Sequence, residues 1–272
     1  MKTRIMSSNV WGNCPADRPL ADRDDKIAKV YFRYLPDAIG LQECSKKLRE
    51  ERPNLFALVR DLYEEVPVMP TNEEQNNFTP IVYRKDRLAV EDSGWLCFEG
   101  LNDHGSKSIT WALFFHKESG SRFIHMNMHY FWTQDEAGRE ARVSNTKEML
   151  ALCEKLTAEY HCPFVLTGDF NCCTDEPPIQ SVLASGFREA RLCSEAPVAA
   201  LRSYHEYPEI DDSDPANITY PVGHMPDGRI EKSIDHIFVN GGIAVQRYET
   251  VVDEEALQAT DHCPIFADLI FE

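Results

Sequence analysis

The stretch "GSKSITWALFFHKESGSRFIHMNMH", residues 105–129, holds two runs of apolar, aromatic and β-branched residues separated by Lys117-Glu118-Ser119-Gly120. A link this short cannot carry a helical crossover, so the two runs pair as an antiparallel hairpin. Further strand-sized apolar runs bounded by turn residues cover Ile5 to Val10, Ala38 to Gln42, Pro80 to Tyr83, Ile109 to Phe115, Phe123 to Met128, Phe164 to Leu166, Ile234 to Val239 and Ile265 to Phe271. Helical periodicity is clearest from Gln134 to Glu159, where Val143, Thr146, Met149, Leu150, Cys153 and Leu156 recur at three- and four-residue steps among charged residues. Shorter helices are expected over Asp22 to Leu35 and around Ile179 to Ser185. Strands outnumber helices and one neighbouring pair is antiparallel. The expected architecture is therefore an α/β sandwich with mixed sheets, not a doubly wound parallel sheet.

The 272 residues contain no repeat, low-complexity block or Pro/Gly/Ser linker, so one domain over residues 1–272 is expected. A net charge of -17 disfavours loose binding to nucleic acid or to an anionic membrane, because phosphates are gripped by a surplus of Lys and Arg. It leaves a local basic groove open. The nine cysteines include Cys44, Cys97 and Cys153 inside apolar segments and form no Cys-x-x-Cys pair, which points to reduced thiols and away from structural zinc. "MKTRIMSSNVWG" lacks the apolar core of a secretory signal, and no run is long enough to span a bilayer. A cytoplasmic location is the expectation, with no stable membrane insertion.

Polar residues of one small set stand at the strand ends. Asn9 closes the first strand and Glu43 follows the second; His125, Asn127 and His129 share one face of "FIHMNMHY"; Asp169 and Asn171 follow "VLTG"; Asp235 opens "DHIFVN"; Asp261-His262 precedes the last strand. Singly, each has an ordinary explanation. Asn9 suits a turn, Glu43 a helix start, His129 a hydrogen-bonded buried position, Asp169-Phe170-Asn171 an Asx turn, and Asp261-His262 a cap and a loop histidine. Jointly they are harder to dismiss. Strand ends on one sheet edge converge, and there such residues offer oxygens for a hard cation, amides to orient water and imidazoles to carry protons.

"SSNVWG", "GLQEC", "NMHY", "LTGDFN", "SIDHIFVN" and "TDHCPIFADL" resemble, in order and interval, the motifs of the endonuclease/exonuclease/phosphatase superfamily of metal-dependent phosphoesterases. The resemblance runs from Asn9 to Leu269, with GDFN and the terminal Asp-His-x-Pro the specific signals. It implies a four-layer α/β/β/α sandwich of two mixed β-sheets flanked by helices, with the site on one rim. It also implies roles: Glu43 as the principal Mg²⁺ (or Mn²⁺) ligand with Asn9 and Asp261, directly or through water; Asp169 as the residue that orients or deprotonates the attacking water; Asn171 as its aligner. His262 would stabilise the transition state, Asp235 would hold its ring, and His129 would contact the phosphate.

Asn127, Trp132, Lys107 and Arg142 are the expected substrate-side residues, with Asn102, His104, Ser106 and Arg139 as further loop and helix candidates. Tyr130, Phe131 and Trp132 bring aromatics to the expected rim, to stack on a base or sugar or to line an apolar pocket, or else to pack as core. Trp132 is the one expected to face the cleft. The "WCDR" of inositol polyphosphate 5-phosphatases is missing beside Asp235, and the signal and disulfides of secreted deoxyribonucleases are not evident. The leading expectation is a divalent-metal-dependent phosphodiesterase acting on a small or lipid-like phosphoester. A nuclease on the same site is the alternative, which the net charge does not favour, and a catalytically silent binding protein is the non-enzyme alternative. Nothing in the sequence specifies an oligomeric state.

Overall fold

In the computed structural model, which describes residues 2–12, 23–51, 54–68, 76–199, 201–205 and 233–271, the strands form two six-stranded mixed sheets. The first contains β1 (Lys2–Asn9), β2 (Ala38–Gln42), β3 (Tyr63–Glu65) and β4 (Ile81–Arg84), joined by β11 (Ala244–Thr250) and β12 (Ile265–Ile270), in the order β11-β12-β1-β2-β4-β3. The second contains β5 (Leu88–Cys97), β6 (Ser108–His116), β7 (Arg122–His129), β8 (Phe164–Asp169), β9 (Arg188–Glu189) and β10 (Asp235–Val239), in the order β5-β6-β7-β8-β10-β9. β6 and β7 are the expected hairpin, with Ile109 opposite Met128 and Phe115 opposite Arg122.

Each sheet has one parallel pair at its centre, β1 with β2 and β7 with β8. Parallel neighbours need a crossover, and helices α1 (Arg23–Tyr34) and α4 (Glu136–Tyr160) lie within these two connections. A parallel pair sends both carboxyl ends to one edge. Asn9 and Glu43 therefore emerge together from the first sheet, and His129 beside Asp169 from the second.

Three apolar clusters separate the layers. Ile5, Ala38, Phe114, Phe123, Val165 and Leu269 pack between the sheets. Met6, Ile39, Leu41 and Phe266 face outward against α1, α2 (Lys46–Glu51), α3 (Asn54–Val59) and α7 (Glu254–Ala259). Ile124, Met126, Met128 and Phe164 face α4 and α5 (Pro177–Ala184), while the short α6 (Ala190–Cys193) covers β10 and β11. The result is the four-layer sandwich that the resemblance implies. Helix α4 runs close to the expected span; Asp22, the expected start of α1, lies outside the described residues.

β5 and β11 escape the apolar-run reading. Both carry polar residues and a register shift, at Val90/Asp92 and Val245/Arg247, and each is an edge strand whose pattern need satisfy only one neighbour.

Between the sheets, just behind the rim, runs a polar seam. Gln42 Nε2 donates to Asn127 Oδ1 (2.7 Å) and to Ser7 Oγ (3.0 Å), Asn127 Nδ2 donates to the Leu41 carbonyl (2.7 Å), and Thr167 Oγ1 donates to Asn127 Oδ1 (3.1 Å). Asn127 thus has its hydrogen bonds consumed inside the protein and is fully buried. This corrects the expectation that it binds substrate: it ties the sheets together beneath the site. Gly40 permits the close approach, since a Cβ there would lie 2.3 Å from both Asn127 Oδ1 and Thr167 Oγ1. Gly40→Ala is expected to destabilise the fold by about 1–3 kcal/mol through overpacking, read as a lower midpoint in urea at unchanged slope. An unchanged midpoint would show that the seam yields freely.

Candidate active site

The rim gathers side chains from both sheets. Asn9, Glu43, Asp261 and His262 come from the first; Lys107, His129, Asp169, Asn171 and Asp235 come from the second. Asp169 stands opposite Asp235 on one side and His129 on the other, a register that places three ionisable groups in one row. Beyond Asp169 the chain turns through Asn171, whose φ of 51° is held by its amide donating to Asp169 Oδ1 (2.9 Å). The Asx turn is present, and it is what turns Asp169 and Asn171 toward the rim.

Asp169 Oδ2 is the hub. It accepts from Asn9 Nδ2 (3.1 Å) and lies 3.4 Å from His129 Nε2 and 3.7 Å from His262 Nε2. Burial and the neighbouring Asp235 charge push its carboxyl up to about 6, against the pull of His262 and Lys107. A carboxylate so shifted is a stronger base than an ordinary one yet is ionised at neutral pH. His262 Nδ1 meets Asp235 Oδ2 at 2.8 Å, and Asp235 and Asp169 together overcome burial and raise this imidazole well above its ordinary value. It is held as an imidazolium between two carboxylates. His129 is the opposite case: burial, Lys107 and His262 hold it well below its ordinary value, so it is neutral. Lys107 Nζ approaches His129 Nε2 at 3.0 Å, and its ammonium is itself pulled downward by burial.

Two sets of oxygens compete as a metal site. Ligand atoms of Asp169, Asp235 and His262 lie within 4.8 Å of one another. Within this group both ring nitrogens of His262 are already engaged, Nδ1 by Asp235 and Nε2 by the nearby Asp169. The Asp261 Oδ1 atom, by contrast, is buried with no hydrogen-bond partner among the described residues, and burial raises its carboxyl to about 7, with the Glu43 charge adding to the shift. An orphaned carboxylate oxygen in a cavity that a second carboxylate, Glu43, also lines fits a hard divalent cation, which would supply the missing partner. Asn9 fits less directly than expected. Its Oδ1 accepts from the Trp11 amide (2.9 Å), which turns Nδ2 toward Glu43 Oε1 (3.2 Å) and Asp169. It bridges the two carboxylates instead of presenting an oxygen as a ligand.

A cavity of about 870 Å³ opens on this group. Glu43, Lys107, His129, Asp169, Asn171, Asp261 and His262 line its floor, and Trp132, 56% exposed, stands at its mouth with Nε1 donating to Asp103 (2.8 Å). Asp235 sits behind His262. Arg142 does not reach the cavity: it is fully buried and donates to the carbonyls of Phe131 (3.1 Å) and Thr133 (2.6 Å), which corrects its expected substrate role. It braces the loop that carries Trp132. Tyr130 and Phe131 are core, Tyr130 packing edge-on against Phe170 at 4.7 Å, so one of the three aromatics reaches the rim. Ser106 lines the cavity, whereas Asn102 binds its own loop and Arg139 the Gln134 carbonyl; the side chain of His104 lies outside the described set. Sequence reasoning missed Phe78, Asp103, Glu176 and Tyr204, none of which belongs to a motif.

Residues 6–262 match the Endonuclease/Exonuclease/phosphatase family. The chain belongs to this family. Its members are hydrolytic phosphoesterases that depend on a divalent metal, and the chain is an enzyme of that class. No curated protein sequence matches it significantly. Among solved structures it is similar to an endonuclease/exonuclease/phosphatase from Bacteroides vulgatus (23% identity, all of both chains covered, TM-score 0.78). It is also similar to a mannosyl-6-phosphatase from Bacteroides thetaiotaomicron (22% identity, 99% of this chain and 100% of that chain, TM-score 0.79). A third likeness is to D. rerio TDP2 complexed with single-stranded DNA product (19% identity, 99% of each chain, TM-score 0.66). At such identities these neighbours share the fold.

Proposed function

We propose that this member of the family hydrolyses a small phosphoester, in the leading form a diester, with one compact uncharged organic group resting against Trp132. The observation that carries the reading is the cavity itself. Its floor sets Lys107 and the His262 imidazolium beside the carboxylates of Glu43, Asp169 and Asp261, which a bound divalent cation would offset. Asp103, Glu176 and the exposed Lys46 line the cavity with Trp132. With that cation bound, a single phosphate would be attracted inward. The flanking phosphates of a nucleic acid would meet Asp103 and Glu176, with Lys46 as the one exposed lysine among the described lining residues, on a chain whose net charge is -17. A sugar phosphomonoester is the second reading, favoured by the likeness to the mannosyl-6-phosphatase and by Gln134, Asp103 and Glu176 as partners for hydroxyls.

In this reading Glu43 and Asp261 hold Mg²⁺ or Mn²⁺, which when bound supplies charge neutralisation at the phosphate. Asp169 takes the proton of the attacking water as the new P–O bond forms and the ester P–O bond breaks. The Nε2–H of His262 and Nζ of Lys107 stabilise the charge that gathers on the non-bridging oxygens, and Asp235 keeps the His262 ring oriented and charged. A cytoplasmic location belongs to this reading and accords with Cys44, Cys153, Cys172 and Cys263 being buried as thiols. Among the described residues no helix is long and apolar enough to cross a membrane.

EDTA is expected to abolish activity and added Mg²⁺ or Mn²⁺ to restore it, measured across phosphodiesters, phosphomonoesters including hexose phosphates, phospholipids and single- and double-stranded DNA. Hydrolysis confined to the nucleic acids would overturn the small-substrate reading. Undiminished turnover in EDTA would overturn the metal assignment.

A further inference from the structure

The Asp235–His262 pair has a structural peculiarity. Asp235 begins β10 of the second sheet, and His262 precedes β12 of the first, so their 2.8 Å contact spans the gap between two sheets. Among the described residues no strand ladder fixes that distance.

Three consecutive residues outside every strand touch both sides. Ser203 Oγ accepts from the backbone amides of Ile234 (3.1 Å) and Asp235 (3.0 Å), and the Ser203 carbonyl accepts from the Cys263 amide (2.6 Å). The His205 amide donates to the Asp261 carbonyl (3.0 Å). Between them Tyr204 forms an isolated antiparallel bridge with His262, and its ring lies 4.9 Å from the imidazole at the cavity wall. Ser203 is fully buried, so its hydroxyl exchanges these bonds with no water.

We propose that Ser203-Tyr204-His205 is a clip that sets the Asp235–His262 contact across the sheets, with Ser203 and Tyr204 as positioning residues. Ser203 fixes where the Asp235 backbone starts. Tyr204 packs at a 49° tilt against the His262 ring, limiting its rotation and shielding it on the cavity side. The kinetic side of the proposal rests on the phosphoesterase reading above; the geometric side does not.

The test uses the full chain with Mg²⁺. In proton NMR, wild type should show a solvent-protected downfield imidazole proton that disappears in His262→Gln, which separates it from the His236 ring, also bonded to a carboxylate. Ser203→Ala should lose that protected signal and lower kcat by about tenfold or more with KM little changed, because a small misplacement of a reacting group is costly. Ser203→Thr, which keeps the hydroxyl, should recover both. Tyr204→Leu should lose the signal where Tyr204→Phe keeps it, and this pair decides the matter if Ser203→Ala fails to fold. Retention of the signal and of kcat in both Ser203→Ala and Tyr204→Leu overturns the clip. So does a wild-type spectrum with no protected proton, or equal loss in the Ala and Thr variants, which would assign the effect to packing. A wild type that shows the signal yet hydrolyses no phosphoester sinks the functional reading and leaves the NMR comparison to judge the clip.

Discussion

Asp169→Ala is expected to lower kcat by at least about two orders of magnitude while leaving the protein folded. The rate loss follows from position in the proposed mechanism, where this carboxylate, meeting Asn9, His129 and His262 at one oxygen on the cavity floor, takes the water proton. Retention of the fold follows from the same burial. Because its carboxyl is raised from 3.8 to about 6, the unfolded chain gives up this proton at lower pH than the folded protein. As pH rises through that interval the ionised group comes to oppose folding, so at neutral pH its removal relieves a cost. Asn9 keeps its bond to Glu43 and His262 keeps Asp235, while the Asn171 amide loses its partner and His262 loses the carboxylate near its Nε2. Asp169→Asn, which preserves size but not basicity, should show the same rate loss. Both are checked by single-turnover kinetics beside thermal melts; a variant with wild-type kcat would remove Asp169 from the chemistry.

The parts of this site visible in the sequence are those that sit at the ends of regular strands. Asn9, Glu43, His129 and Asp169 follow apolar runs whose period gives both the strand and its exit, and the parallel pairs then bring the exits together. Residues placed by loops were not legible. Tyr204 and Phe78 reach the cavity through irregular backbone, and no periodicity in "LRSYH" or "NNFTP" marks them. The misread residues have a common cause too. Asn127 alternates with His125 and His129 as a strand requires, but the face they share is closed by a second sheet a residue or two below the rim. Arg142 lies on the first turns of α4, where a cation is usually solvated, yet it turns inward to satisfy carbonyls that the loop ahead of the helix leaves without partners. Depth below an edge is a property of the sheet-to-sheet contact, and a one-dimensional pattern does not encode it.

Gly12→Ala is expected to weaken activation by divalent metal by about 10- to 100-fold, although Gly12 belongs to no charged cluster. An added Cβ would lie 1.7 Å from the Glu43 carbonyl oxygen and 3.0 Å from the Ser45 amide nitrogen. That carbonyl cannot move freely. It accepts from the Ser45 amide at 2.7 Å, while Ser45 Oγ in turn donates to the Gly12 carbonyl at 3.0 Å, closing a small ring of backbone around Glu43. Glu43 itself has a φ of 62°, a conformation a non-glycine residue adopts at a cost and keeps only where its surroundings impose it. Displacing the carbonyl therefore releases the strained backbone, and the Glu43 side chain leaves the position from which it faces Asn9 and Asp261. The loss should appear as a higher Mg²⁺ concentration for half-maximal activity and as a smaller rise in melting temperature on adding the metal, since a ligand that binds only the folded state stabilises it in proportion to its affinity. A variant with wild-type metal dependence in both measurements would show that the Glu43 turn adjusts without moving its carboxylate.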